Sequence, residues 1–252
     1  EIGAFRQDSP VKELLESTYY LLGSDYFRVT MGFMTAAGAD WHQREAAMWA
    51  IHAVSRVFVA QQRKWIAANK NAAATGGAAT AAGAGAAGAL TAVETDHMVE
   101  SSALMVQLLQ ALAANANQFR HPILARTAAR TLGSLSAWVD TSSDAARLVH
   151  ASTSYLVGSL AVEGASHDVA EAVQRMLRKC GKWINDPRTV AQLVASVNAA
   201  MSRLHVDDQI VLVDGLATVV VTMAPADARG GMEMLCGPIL DRVSAALQQF
   251  RA

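Results

Sequence analysis

The chain has 252 residues, 52% of them hydrophobic and 17% charged, with a formal net charge of −1 and a pI near 6.7. That is enough apolar material for one large or two ordinary cores, and the near-neutral balance argues against a general nucleic-acid binder, which carries a basic surplus. Two cysteines, Cys180 and Cys236, and seven scattered histidines supply neither a disulfide framework nor a metal site at ligand spacing, which fits a reducing compartment.

Apolar residues recur every three and four positions along the whole chain, the period of amphipathic helices, and only five prolines interrupt it. The spacing predicts an all-α chain. The first helix pair falls at 8–23 and 24–36, and the second at 41–61 and 96–114. Between the helices of this second pair, residues 72–93 hold twelve Ala, five Gly, three Thr, one Leu and one Val, with no charge. Such a tract has nothing large to bury, and each glycine costs a helix about 1 kcal/mol against Ala, so a flexible insertion over 71–95 is expected. It is too weakly hydrophobic for a membrane span. Its GAGAAG, residues 83–88, matches the G-x-G-x-x-G letters of a dinucleotide site. No strand pattern precedes it and the acids that follow, Glu94, Asp96 and Glu100, come too soon, so no cofactor is expected there.

The remaining pairs are predicted at 120–139 with 143–161, 167–184 with 187–203, and 206–224 with 226–249. The Val-rich stretch QIVLVDGLATVVVTMA, 209–224, has the composition of a buried strand, but its length, its helical flanks and Pro225 at its end favour a buried helix. Asp8, Asp144, Asp168 and Asp227 fall near predicted helix starts, where acids cap or stay solvated.

The chain also matches itself. At an offset of 45, Ala125 aligns with Ala170, Ala128 with Val173, Leu132 with Leu177, Leu135 with Cys180, Trp138 with Trp183 and Val139 with Ile184. Two helices thus present one buried stripe at a fixed distance, within the period of about 40 to 47 residues used by helix-pair solenoids of the HEAT or armadillo type. The expected architecture is a single right-handed solenoid segment of five antiparallel helix pairs. The shared position of Trp138 and Trp183 implies that both fill the seam between repeats; Trp65, after a charged Arg-Lys pair at the edge of the insertion, is the tryptophan expected at the surface.

No nucleophile elbow, Walker loop or zinc-ligand pair is present, and the chain is not read as an enzyme; no catalytic, cofactor or metal residue is assigned. The candidate residues for partner binding lie on the polar faces of second helices, which line the inner wall of a solenoid. They are Arg147 and His150 on one helix and Arg188, Gln192 and Arg203 on the next, with Glu100 and Gln107 sharing a face earlier in the chain. Arg147 and Arg188 are suited to pairing with acidic groups on a partner.

The runs GAFRQDSPVKELLESTYYLLGS, WHQREAAMWAIHAVSRVF, ARTAARTLGSLSAWVD, HDVAEAVQRMLRKCGKWI and VDDQIVLVDGLATVVVTMAPADARGGMEMLCGPIL together resemble, in order, the central HEAT repeats of the transportin-SR and importin-thirteen branch of importin-β receptors. The specific features are FR before the first helix, Trp41 shortly before Glu45 and Ala46, and the Val-rich helix closing on TMAP. The Ala/Gly insertion and the alanine-rich surface depart from the pattern. The resemblance implies a karyopherin segment acting between nucleus and cytoplasm. Its partners would be protein cargo, SR-type splicing factors among it, the GTP form of the GTPase Ran, and nucleoporins, with no membrane and no direct nucleic-acid contact. The alternative is a HEAT or armadillo scaffold in another assembly. The chain opens on Glu1 rather than Met and reads as an excised segment, one not expected to cycle cargo alone.

Overall fold

The computed structural model describes residues 10–74 and 92–251. Prolines mark helix starts within it: α1 (Pro10–Leu22), α5 (Pro122–Val139), α8 (Pro187–Met201) and α10 (Pro225–Arg251) each open on one, where the missing N–H is no loss and the fixed φ suits the helix. The others are α2 (Ser24–Thr35), α3 (Trp41–Ala74), α4 (Ala92–Ala114), α6 (Ala145–Ser159), α7 (Ser166–Cys180) and α9 (Val206–Val221), with 3-10 turns at Ala116–Phe119 and Gly181–Trp183. The protein is all-α among its described residues. No helix there is long and apolar enough to cross a membrane. The chain divides into two compact units, Glu1–Ala111 and Leu112–Ala252.

In the first unit α1 and α2 pack on each other and on α3. Gly23 separates α1 from α2 with φ +56°, a left-handed value that a Cβ would strain. The core is an aromatic cluster: Tyr19, Tyr26 and Phe58 each lie within 5.2–5.4 or 5.7 Å of the Phe27 ring. The two tyrosine hydroxyls are not stranded, since Tyr19 donates to Gln61 Oε1 at 2.8 Å and Tyr26 to the Ala50 carbonyl at 2.9 Å. A capping box opens α3, with Gln43 N–H donating to Asp40 Oδ1 at 2.9 Å and Asp40 N–H to Gln43 Oε1 at 3.1 Å.

Three expectations change here. The helix expected at 41–61 continues to Ala74, because residues 62–74 contain neither Pro nor Gly and are rich in Ala and straight-chain side chains. The insertion expected over 71–95 therefore has helical edges, and its centre, including GAGAAG, lies outside the described residues. Trp65 is half-buried rather than exposed.

In the second unit α7 packs against α5 on one side and α9 on the other, while α6 lies on α5 and α7, α8 on α9, and α10 on α8 and α9. Small residues allow the close approach. A Cβ on Gly133 would lie 3.4 Å from Ala172 Cα, and one on Gly215 only 3.0 Å from Gln174 Cα. Around these contacts Leu124, Leu132 and Leu135 of α5, Val173, Met176 and Leu177 of α7, and Leu212, Leu216 and Val219 of α9 are buried. The Val-rich segment is a helix. Leu212, Leu216, Val219 and Val220 are inside while Ile210 and Val221 are out, a spacing of three and four that a strand would not give.

Polar contacts follow the same adjacency. Arg126 and Arg130 of α5 donate to Asp168 of α7 at 2.8 and 2.7 Å. His167 Nδ1 of α7 lies 2.8 Å from Asp208 Oδ1 of α9, and Gln174 donates to Asp214 at 2.6 Å. Asp144 and Asp168, expected near helix starts as capping or solvated acids, stand there and serve as ion-pair partners; Asp144 is half exposed and makes no side-chain cap bond, whereas Asp168 is largely buried.

The matched stripe is buried at five of its six positions in both helices, and fails at the tryptophans. Trp138 is 3% exposed and Trp183 is 42% exposed, so only the first fills a seam. The cause is local. α5 stays α-helical through Val139, whereas α7 ends at Cys180 and continues as a 3-10 turn, which advances about 120° per residue instead of about 100° and swings position 183 off the stripe.

Candidate partner-binding groove between α6 and α8

α6 and α8 follow α5 and α7 in the chain, yet they do not share the close packing of α5 on α7. The residues they turn toward each other are small: Ser154, Gly158 and Ala161 on one side, Ser196, Ala199 and Ala200 on the other. Gly158 has open space where a Cβ would be. The result is a groove of about 670 Å³, floored by Val157, Leu160, Ile184 and Leu193. Its rim carries His150, Gln192 and Arg203.

Three of the five predicted residues are therefore brought together on one surface: His150 from α6, Gln192 from α8, and Arg203 from the turn after α8, which ends at Met201 rather than at the expected 203. The other two are not part of it. Arg147 turns back on its own helix start, donating to Asp144 Oδ2 at 2.6 Å, so its charge is largely matched. Arg188 is exposed one turn before Gln192, beyond the groove's lining, and its charge acts on the carboxyl of Asp186. That carboxyl caps α8: Thr189 donates to it from N–H and hydroxyl, both at 2.9 Å. Those two bonds hold it below the usual carboxylate range, with the charge of Arg188 adding a smaller share.

The electrostatics of the groove are one-sided. Neither α6 nor α8 contains an Asp or a Glu. Among the described residues the carboxylates of α7 and α9 that pair with arginine face the α5–α7–α9 side, where Asp168 and Asp214 take up Arg126, Arg130 and Arg178. Arg203, by contrast, has its guanidinium in no hydrogen bond or ion pair there, and the side chain of Gln192 is likewise unengaged. The missed members of the site are its hydroxyl and glycine residues, Ser154, Gly158 and Ser196. Their signal was small residues four apart on α6 and on α8.

Glu100, read as part of a polar strip, is instead a structural tie in the first unit. It accepts from the Ser24 hydroxyl at 2.7 Å and pairs with Arg28, and those bonds lower its pKa, the Ser24 bond most. His97 Nδ1 also lies 2.9 Å from Ser24. These are the residue types of a hydrolase triad in the wrong order: the hydroxyl stands between imidazole and carboxylate, is 1% exposed and is already committed to both. Cys180 is buried, its thiol pushed up to about 12 chiefly by that burial, which leaves it unreactive. No cluster of three metal-ligating side chains occurs among the described residues. No protein-family profile, curated protein or solved structure matches this chain.

Proposed function

We propose that this chain is a HEAT-type array of helix pairs and forms the partner-binding segment of an importin-β-like nuclear transport receptor, of the transportin-SR and importin-thirteen kind. The observation that carries the reading is the ordered sequence resemblance over most of the chain, from FR before α1 to TMAP after α9. The helix-pair part draws support from the stripe repeated at an offset of 45 and from α5, α7 and α9 packing as successive neighbours. On this reading protein cargo, SR-type splicing factors included, and Ran in its GTP form meet the second-helix surface carrying Arg147, His150, Arg188, Gln192 and Arg203. Transport runs between cytoplasm and nucleus by way of nucleoporins.

The test is binding of the chain, within its receptor, to Ran locked in the GTP form and to its protein cargo. The variant Arg147→Glu, Arg188→Glu, Arg203→Glu should weaken one or both at least tenfold while the melting temperature holds, because exposed substitutions change stability by only about 0.5 kcal/mol. Unchanged affinity for both would remove these residues from the reading. Failure of the unaltered receptor to bind Ran-GTP or cargo would leave a helix-pair scaffold of another assembly.

A further inference from the structure

The groove between α6 and α8 selects its ligand by charge and shape, and this holds whether or not the chain serves nuclear transport. We infer that it is a docking site for an extended peptide segment that alternates acidic and apolar side chains. Four features of the surface lead there.

The first is charge. A groove whose two walls carry no carboxylate, and whose rim holds an unpaired guanidinium at Arg203 and an imidazole at His150, attracts anions and repels cations. The nearest carboxylates in sequence lie at helix ends; Asp144 is paired with Arg147, and Asp186, which caps α8 and keeps its charge, has Arg188 beside it. Five other cations of the second unit, Arg126, Arg130, Arg175, Arg178 and Lys182, already have acidic partners on or beside α5, α7 and α9, whereas Arg203 has charge to spare.

The second is the cross-section. Val157, Leu160 and Leu193 form an apolar floor under a polar rim. An extended chain sends successive side chains to opposite faces, so alternate apolar residues meet the floor while the acids between them reach Arg203 and His150.

The third is length. From His150 to Gly158 along α6, and from Gln192 to Ala200 along α8, eight residues at 1.5 Å each give about 12 Å. That matches about four residues of extended peptide at about 3.3 Å each.

The fourth is backbone chemistry. An extended peptide brings N–H and C=O groups that need partners once water is excluded. The unengaged Gln192 amide offers both a donor and an acceptor at the rim, and the Ser196 hydroxyl, which donates to the Gln192 carbonyl at 2.8 Å, keeps its lone pairs free to accept.

The experiment uses the whole chain and two fluorescein-labelled octapeptides, one alternating Glu with Val and the other Lys with Val, read by fluorescence anisotropy. The Glu peptide should bind, the Lys peptide should not, and affinity should fall as salt rises from 50 to 300 mM. Arg203→Glu should weaken the Glu peptide at least tenfold. Gly158→Leu, which places a side chain in the open space of the groove, should abolish binding with the melting temperature kept. No binding of the Glu peptide at 1 mM overturns the inference. So does equal binding of the two peptides, or a Glu-peptide affinity untouched by both variants. Ran-GTP and cargo binding measured alongside separates this result from the transport reading: an unaltered protein that binds Ran-GTP and cargo but not the Glu peptide sinks the groove, and one that binds the Glu peptide but neither Ran-GTP nor cargo sinks the receptor.

Discussion

Trp183 donates its indole N–H to Asp140 Oδ1 at 3.0 Å, and Lys182 Nζ lies 2.9 Å from the same oxygen and 5.3 Å from the centre of the indole ring. The carboxylate just past the end of α5 thus holds the turn that follows α7 from outside. Trp138, its counterpart in the repeat, packs from inside.

Because of that difference, Trp138→Ala should cost about 3–5 kcal/mol, the range for emptying a large buried aromatic site. Trp183→Ala, which removes an exposed ring with one hydrogen bond, should cost about 1 kcal/mol. Urea midpoints of the two variants check this. Equal shifts would mean that the two tryptophans share one structural role after all.

The glycines give a second contrast. Gly215→Ala would put a methyl 3.0 Å from Gln174 Cα on the neighbouring backbone, and should destabilise by about 1–3 kcal/mol as α7 and α9 are forced apart. Gly158→Ala meets nothing within 4 Å and should stabilise by up to about 1 kcal/mol through helix propensity alone. Thermal melts of both variants should therefore move in opposite directions.

The contacts of α7 predict a dependence on pH. The hydrogen bond to Asp208 raises the His167 pKa above its ordinary value, partial burial opposes this, and the charges of Asp208, Glu171 and Asp168 add to it. A raised folded value means that the pair contributes fully below about pH 6.5, the unfolded value, and is lost as pH rises through the folded one. The imidazole is 67% exposed, so solvent screening keeps the contribution under about 1 kcal/mol. The difference in denaturation midpoint between the protein and His167→Gln should be larger at pH 5.5 than at pH 8.5, and a constant difference would refute the assignment.

Asp168 acts in the opposite sense. Burial works against its charge, but the hydrogen bonds and charges of Arg130 and Arg126 outweigh that and hold the carboxyl below its usual range. Its contribution is present above about pH 3.9, the unfolded value, and disappears as pH falls through the lowered one. Asp168→Asn should cost about 1–3 kcal/mol at neutral pH and flatten the acid limb of the stability curve.

The helices were legible because burial imposes its period directly: Leu212, Leu216 and Val219 set the face of α9 whatever the strand preference of valine. The stripe matched at an offset of 45 is buried in both helices for the same reason, down to Leu135 and Cys180. Trp183 was not legible, because the switch from α to 3-10 geometry after Cys180 leaves no mark in the apolar spacing, and Ile184 beside it is still buried. The groove was half legible. His150 and Gln192 follow from helical faces and Arg203 stands in the turn just past α8, whereas Arg147 was lost to Asp144, a choice between neighbouring rotamers that spacing does not fix.

Every polar contact joining α5, α7 and α9, or the turn after α7 to α5, spans between 36 and 44 residues. On a ribosome adding about 5–20 residues per second, each new helix of this series would emerge about 2–9 s after the one it docks on. The nascent second unit never holds an apolar face open for a distant partner, so its time exposed to aggregation is set by the rate of translation and not by a search through the whole chain.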